Sequence, residues 1–199
     1  MEDNKKEIPY QVLTWGPCVA KMKITEDFYK VLLEECEASQ TEDLLYQHRL
    51  AGIIQKEYKL RNLEKVQPFI SDIVRIYDSI WDKWRNSDTK SVNRYLIKAV
   101  WVNYQRKNEF NPPHDHSDEL SFVTYLKVPQ EIKKEFVFPA WLKHYVAPFK
   151  SDVERVSVSG NVAAMFPISE LSPQEKDIKE KRNEELFNNK GGFFKIDKK

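Results

Sequence analysis

The residues best able to do chemistry lie in "NPPHDHSDELSFVTYLKVP", residues 111–129. The chain has four histidines, and two of them, His114 and His116, stand here with Asp115 and Asp118 beside them. Imidazole and carboxylate groups are common ligands of transition metals. Residues i and i+2 of an extended chain point to the same side, so both imidazoles would face one point and Asp115 would point away. A His-x-His pair alone is a weak signal, because a metal-free histidine pair is at least as common.

A third ligand is available further along the chain, in "FVFPAWLKHYVAPF", where His144 lies. Eleven residues later the chain reads "RVSVSGN", in which strand alternation puts Arg155, Ser157 and Ser159 on one face and valines on the other. An arginine fork beside a hydroxyl is suited to binding a small carboxylate. The alternative is a surface strand with an ordinary arginine–acid ion pair. Three histidines and an Arg-x-Ser on successive strands favour a metal and anion site.

Composition limits what such a site could serve. The 199 residues are enough for one domain with a real core, and Lys+Arg 32 against Asp+Glu 31 leaves a net charge of +1. No global field therefore draws the protein to nucleic acid or membrane. The absence of a signal peptide and of a long apolar run predicts a cytoplasmic protein without a membrane partner. We expect Cys18 and Cys36 to be surface-exposed thiols.

The elements that must position these residues change in character near residue 95. Residues 1–94 are predicted to be mostly helical, with Thr25 as a helix N-cap and an aromatic stripe of Tyr77, Trp81 and Trp84 on a core face. Residues 95–171 alternate with period two and predict a β core that carries the site. Residues 172–199 form a charged tail, predicted as a surface helix or as partly disordered.

Two blocks of the chain resemble a known family. They are "WVNYQRKNEFNPPHDHSDELSFVTYLKVP" and "FPAWLKHYVAPFKSDVERVSVSGN", with a weaker echo in "HRLAGIIQKEY". The chain resembles the Fe(II)- and 2-oxoglutarate-dependent oxygenases, most closely the small oxygenases common in bacteriophage genomes, which would place it in a host cytoplasm. The resemblance implies an α+β fold, a double-stranded β-helix (a jelly-roll, cupin-like barrel) packed against N-terminal helices. It also implies a dioxygenase that uses Fe(II), 2-oxoglutarate and O2 to oxidise an unknown primary substrate.

The resemblance implies roles for particular residues. Arg155 and Ser157 would bind the far carboxylate of 2-oxoglutarate, and Asn103 and Tyr125 would also line that site. Two registers, that is, two alternative sets of metal ligands, remain possible. In one, His114, His116 and His144 supply three nitrogens; in the other, His116, Asp118 and His144 supply the usual two histidines and a carboxylate.

One departure from the family lies between His116 and His144. Only 28 residues separate them, about half the interval expected from the resemblance, so middle strands of the barrel would be missing. Open strand edges beside "LSFVTYLKV" or "FVFPAWLKHYV" would then favour a homo-oligomer. Three hypotheses follow: an active oxygenase with a shortened barrel, a degenerate non-catalytic member that serves as a binding or assembly protein, and a cupin-like metal protein that does not use 2-oxoglutarate.

Overall fold

The computed structural model describes residues 10–13, 16–47, 52–85, 94–128, 134–165 and 194–197. Its two helices are α1 (Glu26–Ala38) and α2 (Leu63–Arg85). The strands are β1 (Tyr10–Leu13), β2 (Val19–Met22), β3 (Glu57–Lys59), β4 (Arg94–Gln105), β5 (Asn111–His114), β6 (Leu120–Lys127), β7 (Lys134–Pro139), β8 (His144–Val146), β9 (Arg155–Met165) and β10 (Phe194–Asp197). No helix in these ranges combines the length and apolar character needed to cross a membrane.

The strands form a large antiparallel sheet and a small one. The large sheet has the order β1-β2-β7-β6-β9-β4-β10, with β3 also paired to β4, and the small sheet is the pair β5-β8. Neighbours in the large sheet come from distant parts of the chain, as in β2 beside β7 and β4 beside β9. This antiparallel arrangement of a large and a small sheet with two helices confirms the jelly-roll-like fold that was predicted.

One face of the large sheet is covered by the two helices. Thr25 caps α1 as predicted, since its Oγ1 accepts a hydrogen bond from the Phe28 backbone N–H at 3.2 Å. The rings of Phe28 on α1 and Phe69 on α2 stack with centroids 4.7 Å apart. Alternating residues Val100 and Val102 of β4 lie in the core with these helices. The opposite face of the sheet is therefore free to carry polar groups.

The N-terminal part is not purely helical, because β1, β2 and β3 lie within residues 1–94 and join the large sheet. At the other end, residues 194–197 of the predicted tail are a strand that pairs with β4, while residues 172–193 lie outside the described ranges. Of the predicted aromatic stripe, Tyr77 is buried and Trp81 packs against the core. The side chain of Trp84 lies outside what the structure describes.

Two expectations differ from the structure, the first wholly and the second in part. Cys18 and Cys36 are fully buried rather than exposed. The backbone carbonyl of Cys18 accepts from the Tyr77 hydroxyl at 2.8 Å and that of Cys36 from Tyr104 at 2.9 Å, so both residues sit where the helices meet the sheet. The edges of β6 and β7 are not open, because β6 lies between β7 and β9, and β7 lies between β6 and β2. In the second of the two segments, "FVFPAWLKHYV", β8 pairs only with β5 among the described strands. The homo-oligomer stays a prediction.

Candidate metal centre

The small sheet brings two histidines together. His114 ends β5 and His144 begins β8, and the two are directly paired across the strands. Their ring centroids are 4.3 Å apart. His116 follows two residues after His114, and its backbone N–H donates to the Ala140 carbonyl at 2.9 Å. The centroid of its ring lies 5.1 Å from that of each of the other two imidazoles.

These three residues are the group in the described ranges whose ligand atoms could hold a metal ion. One nitrogen from each of His114, His116 and His144 lies within 4.8 Å of the others. Two nitrogens that share one ion through bonds of about 2.0 to 2.1 Å lie at most about 4.2 Å apart, so the present separations are close to what a shared ion requires.

Backbone carbonyls set the orientation of two imidazoles. The Nδ1 of His114 lies 2.7 Å from the Pro112 carbonyl, and the Nδ1 of His144 lies 2.9 Å from the Leu142 carbonyl. A carbonyl can only accept, so each Nδ1 carries a proton and donates it. The Nε2 of each neutral ring then keeps its lone pair for a metal, which is the usual arrangement of metal-binding histidines.

Two of the imidazoles are kept neutral by their surroundings. Burial, and then the neighbouring His144 and His114, lower the pKa of His116 to about 4. Burial also lowers the pKa of His144. His116 and His144 are therefore in the uncharged form that metal binding requires at neutral pH.

The carboxylates of the motif lie elsewhere. The side chain of Asp118 is 8% exposed and forms an ion pair with Lys98, with 2.7 Å between Oδ1 and Nζ. Asp115 is exposed and lies on the cavity rim. Neither belongs to the group of three nitrogens. The structure thus brings together His114, His116 and His144, the all-nitrogen set of the two registers, and places Asp118 against a lysine.

The three histidines line a cavity of about 560 Å³ together with the polar face of the large sheet. Small-molecule sites typically occupy about 300 to 1,000 Å³, so this cavity has the size of a binding site. Cross-strand pairing puts Asn103, Ser157 and Tyr125 in one row across β4, β9 and β6. Phe136 and Phe138 of β7 contribute an apolar wall.

Arg155, at the start of β9, is the cation of this cavity. Its guanidinium carbon lies 5.9 Å from the ring centroids of both Tyr125 and Phe149. Burial lowers the pKa of the guanidinium, but an arginine remains protonated in proteins. None of the ion pairs among the described side chains includes Arg155, so it is not the ordinary surface arginine–acid pair considered as an alternative. A half-buried cation with free donors favours an anionic ligand.

All the predicted cosubstrate residues, Asn103, Tyr125, Arg155 and Ser157, line this cavity. In the present arrangement the Asn103 Nδ2 donates to the Ser159 Oγ at 3.3 Å. Sequence reasoning missed Gln105, which is buried and lines the same cavity. The alternation of "AVWVNYQ" puts Gln105 on the face of Trp101 and Asn103, and that signal was sufficient to find it.

No protein-family model matches the chain, and no curated protein matches it. Several solved structures are similar to it. One is a viral collagen prolyl hydroxylase from Paramecium Bursaria Chlorella virus-1 in complex with 2-oxoglutarate, with 14% identity, 74% of this chain and 96% of that chain covered, and a TM-score of 0.48. Another is an oxidoreductase of the 2OG-Fe(II) oxygenase family from Burkholderia pseudomallei, with 16% identity, 79% and 74% covered, and a TM-score of 0.37.

A third is a prolyl-4-hydroxylase from Pseudomonas putida, with 11% identity, 75% and 94% covered, and a TM-score of 0.47. At these identities and TM-scores the likeness does not say what this chain binds or oxidises. The closer likeness to bacteriophage proteins stays a prediction. One of the three structures is of the 2OG-Fe(II) oxygenase family, two are prolyl hydroxylases, and one of these holds 2-oxoglutarate. Separately, the three described histidines of this chain could hold a metal ion.

Proposed function

We propose that this chain is an Fe(II)- and 2-oxoglutarate-dependent dioxygenase that oxidises a C–H bond of a primary substrate and releases succinate and CO2. One observation carries the proposal: three imidazoles and an arginine without an acid partner among the described residues line the same cavity. A metal-binding group alone fits many proteins. A metal-binding group that shares a cavity with a cation suits a ligand that chelates a metal at one end and carries a carboxylate at the other.

The histidines would supply three neutral ligands to Fe(II). With only three ligands from the protein, a bound ion would also have room for the cosubstrate. When bound, iron and 2-oxoglutarate supply the oxidising chemistry: one oxygen atom of O2 enters succinate as CO2 leaves, and the other enters the substrate. The chain's own part is to hold His114 and His144 in the right tautomer through the Pro112 and Leu142 carbonyls.

Arg155 would bind the far carboxylate of 2-oxoglutarate. Tyr125 and Phe149 flank the guanidinium and limit its movement. Ser157 is buried beside it on the same face of β9 and offers a hydroxyl to the same carboxylate. A planar fork that is already stacked loses little freedom on binding, which favours a two-pronged contact.

The cavity is suited to excluding water from the reaction. Its Phe136 and Phe138 wall is apolar, and the Phe138 ring lies 5.1 Å from the His144 ring. A volume of about 560 Å³ leaves space for part of a primary substrate beside a five-carbon diacid. A degenerate member that serves only as a binding or assembly protein is less favoured, because it would not need a cavity that joins three imidazoles to an arginine.

The test is turnover of 2-oxoglutarate without added substrate. Purified protein supplied with Fe(II), ascorbate and 2-oxoglutarate in air should release succinate slowly, since uncoupled turnover needs only the metal and cosubstrate sites. His144→Ala should release none, and Lys143→Ala, an exposed neighbour, should match the wild type. Absence of succinate from a wild-type protein that is folded and loaded with iron would contradict the proposed function.

A further inference from the structure

Gln105 and Arg155 face each other across two strands of the large sheet. Gln105 is the last residue of β4, Arg155 is the first of β9, and the two are directly paired. Both line the cavity. Directly opposed residues of an antiparallel pair have Cβ atoms about 4.5 to 5.5 Å apart, so the two side chains are within reach of one another.

The amide of Gln105 is fixed in one orientation. Its Nε2 donates to the Glu109 carbonyl at 2.5 Å and to the Ala147 carbonyl at 3.1 Å. Exchanging the amide oxygen and nitrogen would set an acceptor against two acceptors, so the assignment is not ambiguous. The side chain is 1% exposed, and its Oε1 is a buried acceptor without a hydrogen-bond partner among the described residues.

Arg155 also has an unpaired buried group, but it is a donor. Its Nε is a buried donor without a partner in the same part of the chain. One unpaired acceptor and one unpaired donor, both shielded from water, therefore lie on residues that oppose each other in the sheet. Such groups are costly to leave unpaired, and no hydrogen bond joins these two in their present positions, although the strand register puts the two side chains within reach of one another. The two terminal nitrogens of the guanidinium stay available for a ligand.

We propose that Gln105 is a positioning residue for the anion site: when the anion is bound, a turn of the Arg155 side chain brings its Nε–H to the Oε1 of Gln105, and this contact aims the two terminal nitrogens at the far carboxylate of 2-oxoglutarate. The inference rests on the proposed function, since it assumes which ligand Arg155 binds. It goes further because it assigns to Gln105 a part in selecting a keto acid with a second carboxylate over one without it. The Nε2 anchor to Ala147 also holds the segment that carries Phe149, the ring beside the guanidinium.

The test compares two keto acids that differ at the far end. 2-Oxoglutarate and 2-oxopentanoate chelate a metal identically, but only the first has a carboxylate for Arg155. Affinities are measured by calorimetry on anaerobic, Fe(II)-loaded protein. Gln105→Met, similar in length without hydrogen-bonding groups, should weaken 2-oxoglutarate binding about tenfold and change 2-oxopentanoate binding less than about twofold. Lys107→Met, an exposed residue of the adjoining turn, is the matched control and should change neither.

A double variant separates positioning from a general structural effect. In an Arg155→Met background, Gln105→Met should cost no further 2-oxoglutarate affinity, because the group it positions is gone. Three results would overturn the role of Gln105. The first is that Gln105→Met weakens both keto acids equally, and the second is that it weakens neither. The third is that Gln105→Met weakens 2-oxoglutarate binding as much in the Arg155→Met background as in the wild type. If Gln105→Met does not fold, Gln105→Asn takes its place; it keeps an amide but shortens the side chain by one methylene, which draws the amide oxygen away from the guanidinium, so it should also weaken 2-oxoglutarate binding selectively. A wild type that binds both keto acids equally would instead refute the proposed function, and this inference with it.

Discussion

The proposed anion site depends on one side chain, Arg155, so replacing Arg155 tests that site. Arg155→Ala removes both the charge and the two-pronged geometry, while Arg155→Lys keeps only the charge. Loss of one partner of a buried, hydrogen-bonded charge pair costs about 2 to 5 kcal/mol. Arg155 is only half-buried, which favours the lower end of that range. We expect Arg155→Ala to weaken 2-oxoglutarate binding about thirtyfold to a hundredfold, at about 1.4 kcal/mol for each factor of ten.

Arg155→Lys should fall between the wild type and Arg155→Ala, because an ammonium cannot stack between the Tyr125 and Phe149 rings as a planar guanidinium does. The assay is calorimetric titration of 2-oxoglutarate into Fe(II)-loaded protein without oxygen. Iron affinity without cosubstrate is the internal control and should not change. An exposed arginine would cost at most about 1 kcal/mol of stability and nothing in binding. Unchanged 2-oxoglutarate affinity in Arg155→Ala would therefore refute the assignment.

Three further predictions concern the ligands, a buried acid and a glycine. Asp118→Ala should retain Fe(II) while His114→Ala loses it, by metal analysis after gel filtration; the reverse would favour the register with a carboxylate. Burial raises the pKa of Glu57 to about 8, so the folded state holds a proton that the unfolded state releases near 4.5, and the contribution of Glu57 to the unfolding free energy should fall by up to about 4 kcal/mol as pH rises from 5 to 8. The lowered pKa values of His116 and His144 act in the opposite direction in any variant that keeps them, so the measurement is the difference between urea titrations of the wild type and of Glu57→Gln, which should change by this amount over that pH range. Gly160→Ala should lower stability by about 1 to 3 kcal/mol in thermal unfolding, because a Cβ there would lie 2.5 Å from the Phe122 ring; an unchanged Tm would contradict that packing.

Much of the fold was predictable because its signals are local. Apolar spacing and Thr25 predicted α1, and period-two alternation predicted that Arg155 and Ser157 share a face. The same alternation predicted that His114 and His116 would point to one side, and their rings are neighbours in the structure.

What the sequence did not show depends on pairing between distant segments. The short strands β1, β2 and β3 have weak local patterns. They are strands because β7 pairs with β2, β2 pairs with β1, and β4 pairs with β3. The burial of Cys18 and Cys36 follows from the docking of α1 and α2 on the sheet, which no local pattern shows. The partner of Asp118 was also hidden, because Lys98 lies on a different strand twenty residues earlier.

The central claim, one metal ion held by three imidazoles and chelated by 2-oxoglutarate, is tested most directly by visible absorption. Anaerobic protein given Fe(II) and then 2-oxoglutarate should develop the weak charge-transfer band of an iron-bound keto acid, saturating at one iron per chain. His144→Ala should show no band, and Asp118→Ala should show it in full. A wild type that binds iron yet stays colourless with 2-oxoglutarate, or a His144→Ala protein that develops the full band, would contradict the account.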